Sequence, residues 1–177
     1  MPPRRVDFTA NRNWEHQMKY SILGLCVVHL LFAPLLHAEE PLLPWGSAGE
    51  FNQQYSRQKV VFDTTTGSLA GLSSILDRAS YMSQLNGADP FDTKIVIMLH
   101  GGAIPFFAGK NVGKYKDLMV RAQSLSVGNV IEFRMCKASA QLQGFKPKDI
   151  HGFIKMVPMA DAEIVRLQQE EGFAYMR

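Results

Sequence analysis

"KIVIMLHGG", Lys94 to Gly102, is the stretch on which the fold turns. From Ile95 to Leu99 it is apolar without interruption, the pattern of a central strand covered on both faces rather than of a half-wet one. Upstream, "KVVF" (59–62) is a short β-branched run, followed by "DTTTGS" as a turn with Ser68 as a helix cap. Leu69, Leu72, Leu76 and Ala79 then recur at helical spacing until Asn86-Gly87 closes the segment. Downstream, Tyr115, Leu118, Met119, Ala122 and Leu125 mark a second amphipathic helix. In "VIEFRMC" (130–136), Ile131, Phe133 and Met135 alternate with Glu132 and Arg134, which predicts a third strand wet on one face. Lys137 to Leu142 reads as a short helix ended by Gly144, and "FIKMV" (153–157) as a fourth strand. Ala160 to Glu171 reads as a helix closed by Gly172, and "FAYM" (173–176) as a last strand. Strands and helices alternating at this spacing predict an α/β fold with a mostly parallel five-stranded sheet and helices on both faces.

The chain has 177 residues, 46% of them hydrophobic, which suits one globular domain. Its formal charge is +3. Residues 1–38 carry four basic side chains (Arg4, Arg5, Arg12, Lys19) and two acidic ones (Asp7, Glu15), so the remainder holds 15 basic against 14 acidic, or +1. A near-neutral domain lacks the dense basic face a nucleic-acid partner needs. "MKYSILGLCVVHLLFAPLLHAEE", from Met18, has the charged start, apolar middle and small residue before the cut of a secretory signal, with cleavage after Ala38. Residues 1–17 then lie upstream of the true start, 18–38 form the signal peptide, 39–56 an arm or linker, and 57–177 the α/β domain. Cys26 falls inside the signal, and "LGL" ahead of it lacks the small residue of a lipoprotein site. The expectation is a periplasmic or secreted protein without a membrane anchor after cleavage.

One cysteine is left, Cys136, so no internal disulfide forms. In a parallel α/β fold, reactive groups gather at the carboxyl ends of the strands, here Thr64 to Ser68, His100 to Gly102, and Cys136 with Lys137. A thiol at the start of a helix, beside Lys137 and Arg134, is in a setting that favours thiolate. A buried cysteine acting as a small hydrophobe is the plainer alternative. Strand parity sets Cys136 with Glu132 and Arg134 rather than with Phe133 and Met135, which predicts a solvent-reachable sulfur. His100 is placed to tune that thiol from a neighbouring strand, or simply to bond a backbone group. Cys136, His100 and His151 have no spacing that makes a metal site. Thr64, Thr65, Thr66, Gly67 and Ser68, in "FDTTTGSLAG", suit either a phosphate- or flavin-cradling loop or a plain turn and helix cap. "FFAGKNVGK" is not a nucleotide loop: Ile104 stands where the first glycine is needed and Asn111 where Ser or Thr is needed.

"GNVIEFRMCKASAQLQGF" (128–145), with Cys136 at the strand end, a short helix and then Gly144, resembles the DsrE/DsrF-like family of sulfur-relay proteins. "KIVIMLHGGAIPFF" and "VPMADAEIVRLQQEEGFAYMR" are similar to that family's second strand and closing helix and strand. The resemblance spans most of residues 58–177. It implies a three-layer α/β/α sandwich, assembly as homo-oligomeric trimers or hexamers, and a cysteine at the position of Cys136 that carries sulfur as a persulfide between donor and acceptor proteins. It calls for no metal or organic cofactor. The well-described relay members work in the cytoplasm, whereas this chain carries an export signal. A non-catalytic exported protein binding a phosphate-bearing or flavin ligand at Thr64–Ser68 is the alternative.

Overall fold

The computed structural model describes residues 44–85 and 87–177; residues 1–17, the signal segment 18–38, the first part of the arm and the Asn86 helix stop lie outside them. The chain divides into two units, Met1–Phe51 and Asn52–Arg177. In the first, the described residues 44–51 form no helix or strand.

The second unit opens on β1 (Gln58–Thr64), α1 (Leu69–Leu85) and β2 (Thr93–Leu99). A 3₁₀ helix (Gly101–Phe107) and a second short one lead into α2 (Val112–Ser126). Then follow β3 (Ile131–Cys136), α3 (Lys137–Leu142), β4 (Lys155–Val157), α4 (Ala160–Glu171) and β5 (Ala174–Met176). The sheet has five strands in the order β4-β3-β2-β1-β5, and every pairing is parallel. The fold is thus α/β, all parallel where the sequence predicts mostly parallel.

Two apolar clusters flank the sheet. On one face Ile95, Ile97, Leu99, Phe133 and Met135 meet Leu72 and Leu76 of α1, Leu118 and Ala122 of α2, and Ala140 of α3. On the other, Val61, Val96, Met98 and Cys136 meet Ala160, Ile164 and Leu167 of α4. Residues Ile95 to Leu99 are wholly buried because the pleat sends alternate side chains into each cluster. Right-handed crossovers produce this split: β1 to β4 step one way across the sheet with their connections on one face, and α4 must return over the other face to bring β5 beside β1.

One sequence expectation changes, and one element is new. The "AIPFF" segment is a buried 3₁₀ helix, with Ala103, Ile104, Phe106 and Phe107 filling the core. The Glu132–Arg134 face of β3 is covered by α4 instead of wet: Arg134 donates to Glu132 and to Glu163 of α4, and Lys155 Nζ reaches Glu132 at 2.9 Å.

Candidate functional site

The connections leaving β3 and β4 part to opposite faces, α3 toward the first cluster and α4 toward the second. In open parallel sheets such a divergence opens a crevice at the carboxyl ends of the two strands. Cys136 ends β3 there, in register with Val157 of β4.

Cys136 is the N-cap of α3. Its backbone is extended and its Sγ accepts the Ser139 N–H at 3.3 Å. The sulfur thus stands where the side-chain oxygen of an N-cap usually does. Ser139 also ties α3 to the neighbouring turn, its Oγ accepting the Gly101 N–H at 3.0 Å, while Gln143 Nε2 donates to the Gly101 carbonyl at 2.8 Å. The turn itself is tight. Gly101 has φ +54, and a Cβ on Gly102 would lie 2.8 Å from Gly67 Cα and N and 3.0 Å from the Thr65 carbonyl. Backbone fills that space, so the second residue of the pair must be glycine.

His100 keeps extended backbone (φ −152, ψ 178). It follows the Leu99↔Met135 pair as Cys136 does, and alternation sets both on the α4 face of the sheet. Its Nε2 meets Asp63 Oδ1, and Asp63 Oδ2 accepts the Tyr175 hydroxyl at 2.6 Å. The pair is largely shielded, with side chains 19% and 15% exposed. Burial pushes the Asp63 carboxyl up, but the hydrogen bonds from Tyr175 and His100 outweigh it and hold Asp63 below its ordinary value. Asp63 is therefore a carboxylate that accepts the Nε2–H of His100, which leaves Nδ1 as the acceptor nitrogen of the ring. The same contact raises Tyr175 above its usual range. A polar row thus crosses four strands on the α4 face: Tyr175, Asp63, His100, Cys136.

The sequence-predicted helpers fare differently. The Arg134 guanidinium is engaged by Glu132 and Glu163, so its charge neutralises carboxylates rather than a thiolate. Lys137 is exposed on the first turn of α3, where solvent screens its field. The sulfur is not solvent-reachable as expected: Cys136 is 5% exposed, because α4 covers the face that parity assigned to it. Thr64, Thr66 and Ser68 serve their own turn. Thr64 Oγ1 donates to the Phe62 carbonyl, Thr66 Oγ1 accepts the Ser68 N–H, and Ser68 Oγ caps the Gly71 N–H at 2.9 Å, as the cap reading predicts. Thr65 and Gly67 pack their backbones against Gly102.

Sequence reading missed Asp63, Tyr175 and Ser139. Only Asp63 left a signal, a carboxylate closing the apolar run "KVVFD".

No protein-family model and no curated protein matches the chain. Among solved structures it is similar to the protein of unknown function MTH1491 from Methanobacterium thermoautotrophicum, at 18% identity and a TM-score of 0.51, over 68% of this chain and 98% of that one. At that identity the likeness shows the α/β fold alone.

Proposed function

We propose that this chain is a sulfur-relay component of the DsrE/DsrF-like type, holding sulfane sulfur on Cys136 as a persulfide. The observation that carries the reading is the placement of Cys136: an N-capping thiol at the β3–β4 divergence, on the same sheet face as a histidine whose other nitrogen is fixed by a carboxylate. His100 Nδ1 takes the thiol proton, and Asp63 stabilises the imidazolium that results. The thiolate attacks the outer sulfur of a donor persulfide; the donor S–S bond breaks, the new S–S bond forms on Cys136, and the donor leaves as thiolate. An acceptor thiolate then removes that outer sulfur and returns Cys136 as thiolate, with no net oxidation. Burial of the sulfur slows competing oxidation in an exported setting, at the cost of a local opening of its α4 cover before each exchange. Sulfur donor and acceptor proteins are its partners in this reading, and a homotrimer or homohexamer is the expected assembly.

Incubation of the folded domain with thiosulfate or polysulfide, followed by intact mass, tests it. One sulfur adds about 32 Da, is lost on reduction, and is absent in Cys136→Ala and Cys136→Ser. Uptake only by unfolded chain, or equal uptake by the variants, overturns the proposal.

A further inference from the structure

We propose that a second site, separate from the thiol, binds a small phosphate monoester in a cleft of about 570 Å³ beyond the far end of α3. That volume is in the range of small-molecule sites and several times what inorganic phosphate fills. The loop after α3 is brought to the end of the 3₁₀ segment by the Ala108↔Ile150 antiparallel bridge and by the His151 N–H donating to the Phe107 carbonyl at 3.2 Å. These contacts set Lys110, Lys148 and His151 around one opening.

Among the described residues the two lysines have no anionic partner. Neither lysine has a carboxylate within ion-pair distance, and the one acidic side chain of the lining, Asp149, accepts the Lys146 N–H at 2.8 Å. The carbonyls at the end of α3 do not need them either, since Ala140 and Gln141 already accept the N–H groups of Gln143, Gly144 and Phe145. His151 is set by its stack on Phe153 and holds its Nε2 out of solvent with no hydrogen-bond partner. Native structures give such an atom a partner in the form of a water or a ligand. Two ammonium groups can each meet one charge of a phosphate monoester, a dianion, whereas a simple carboxylate satisfies only one of them. Phe145, whose ring lies 4.6 Å from the Lys110 ammonium, and Ile150 give the cleft an apolar wall for the ester's carbon skeleton.

The test is an amide-resolved NMR titration of the folded domain with phenyl phosphate and, separately, inorganic phosphate. Saturable shifts are expected at Gly109, Gly144 and Gly152 with phenyl phosphate. Lys110→Gln with Lys148→Gln, both at exposed positions, lowers the affinity about tenfold while the remaining spectrum stays folded. Cys136→Ser leaves binding unchanged, which separates this site from the sulfur reading. Absence of shifts at these glycines, or undiminished affinity in the double variant, overturns the site; inorganic phosphate binding as tightly as phenyl phosphate overturns the assignment to a monoester.

Discussion

Asp63→Asn is the sharpest probe of the polar row, because it keeps the shape and removes the charge. The carboxylate takes two hydrogen bonds, one from the shielded His100 Nε2 and one from the Tyr175 hydroxyl at 2.6 Å. A hydrogen bond to a charged group contributes roughly 1.5–3 kcal/mol. Asparagine retains one acceptor oxygen and turns an NH₂ toward the other donor, so one bond is lost and the charge component of its twin with it. Tyr175 is nearly half exposed, which discounts its share. The net cost is about 2 kcal/mol at neutral pH, a Tm lower by ~6–10 °C for a unit the size of Asn52–Arg177. The pH dependence has a definite sign. The folded Asp63 value lies below its ordinary 3.8, so its contribution is fully present above that value and is lost as pH falls through the lowered one. The melting gap between the native chain and Asp63→Asn therefore closes below about pH 4. Thermal melts followed by circular dichroism across the acid range measure it. A gap under ~1 °C at neutral pH, or one that persists undiminished into strong acid, refutes the carboxylate clamp.

Arg134→Met leaves Glu132 and Glu163, 15% and 14% exposed, without their shared guanidinium, and costs about 2 kcal/mol, since Lys155 and Arg166 remain to pair them. Burial raises Glu132 but bonds from Lys155 and Arg134 outweigh it, and the Arg166 bond leads in lowering Glu163, so the variant's deficit in Tm is largest at neutral pH and shrinks as pH falls below about 4.5. Gly102→Ala drives a Cβ into the Gly67 backbone and lowers stability by about 1–3 kcal/mol in urea unfolding, whereas Gly113→Ala, with open space around it in α2, raises it slightly; equal effects at the two positions would sink the close-approach argument.

What was legible in the sequence was whatever is encoded over a few neighbouring residues. The apolar run at Ile95–Leu99, the alternation of β3 and the glycine stop after α4 each recur as elements with nearly the expected ends. Parity also placed Cys136 on the right face of its strand. Parity says which way a side chain points and nothing about what lies over it. The cover here is α4, whose first turn brings Glu163 onto Arg134 and Ala160 and Ile164 into the cluster that encloses the sulfur. That cover follows from strand order. Because β5 docks on β1 instead of beside β4, α4 must recross the sheet, and the same crossing sets Tyr175 in register with Val61, within reach of Asp63 across 112 positions of sequence. Burial of the thiol and the Tyr175 brace on Asp63 are therefore one topological event. A chain that failed to seat its final helix and strand would lose the Tyr175 bond to Asp63 and the lid on Cys136 together.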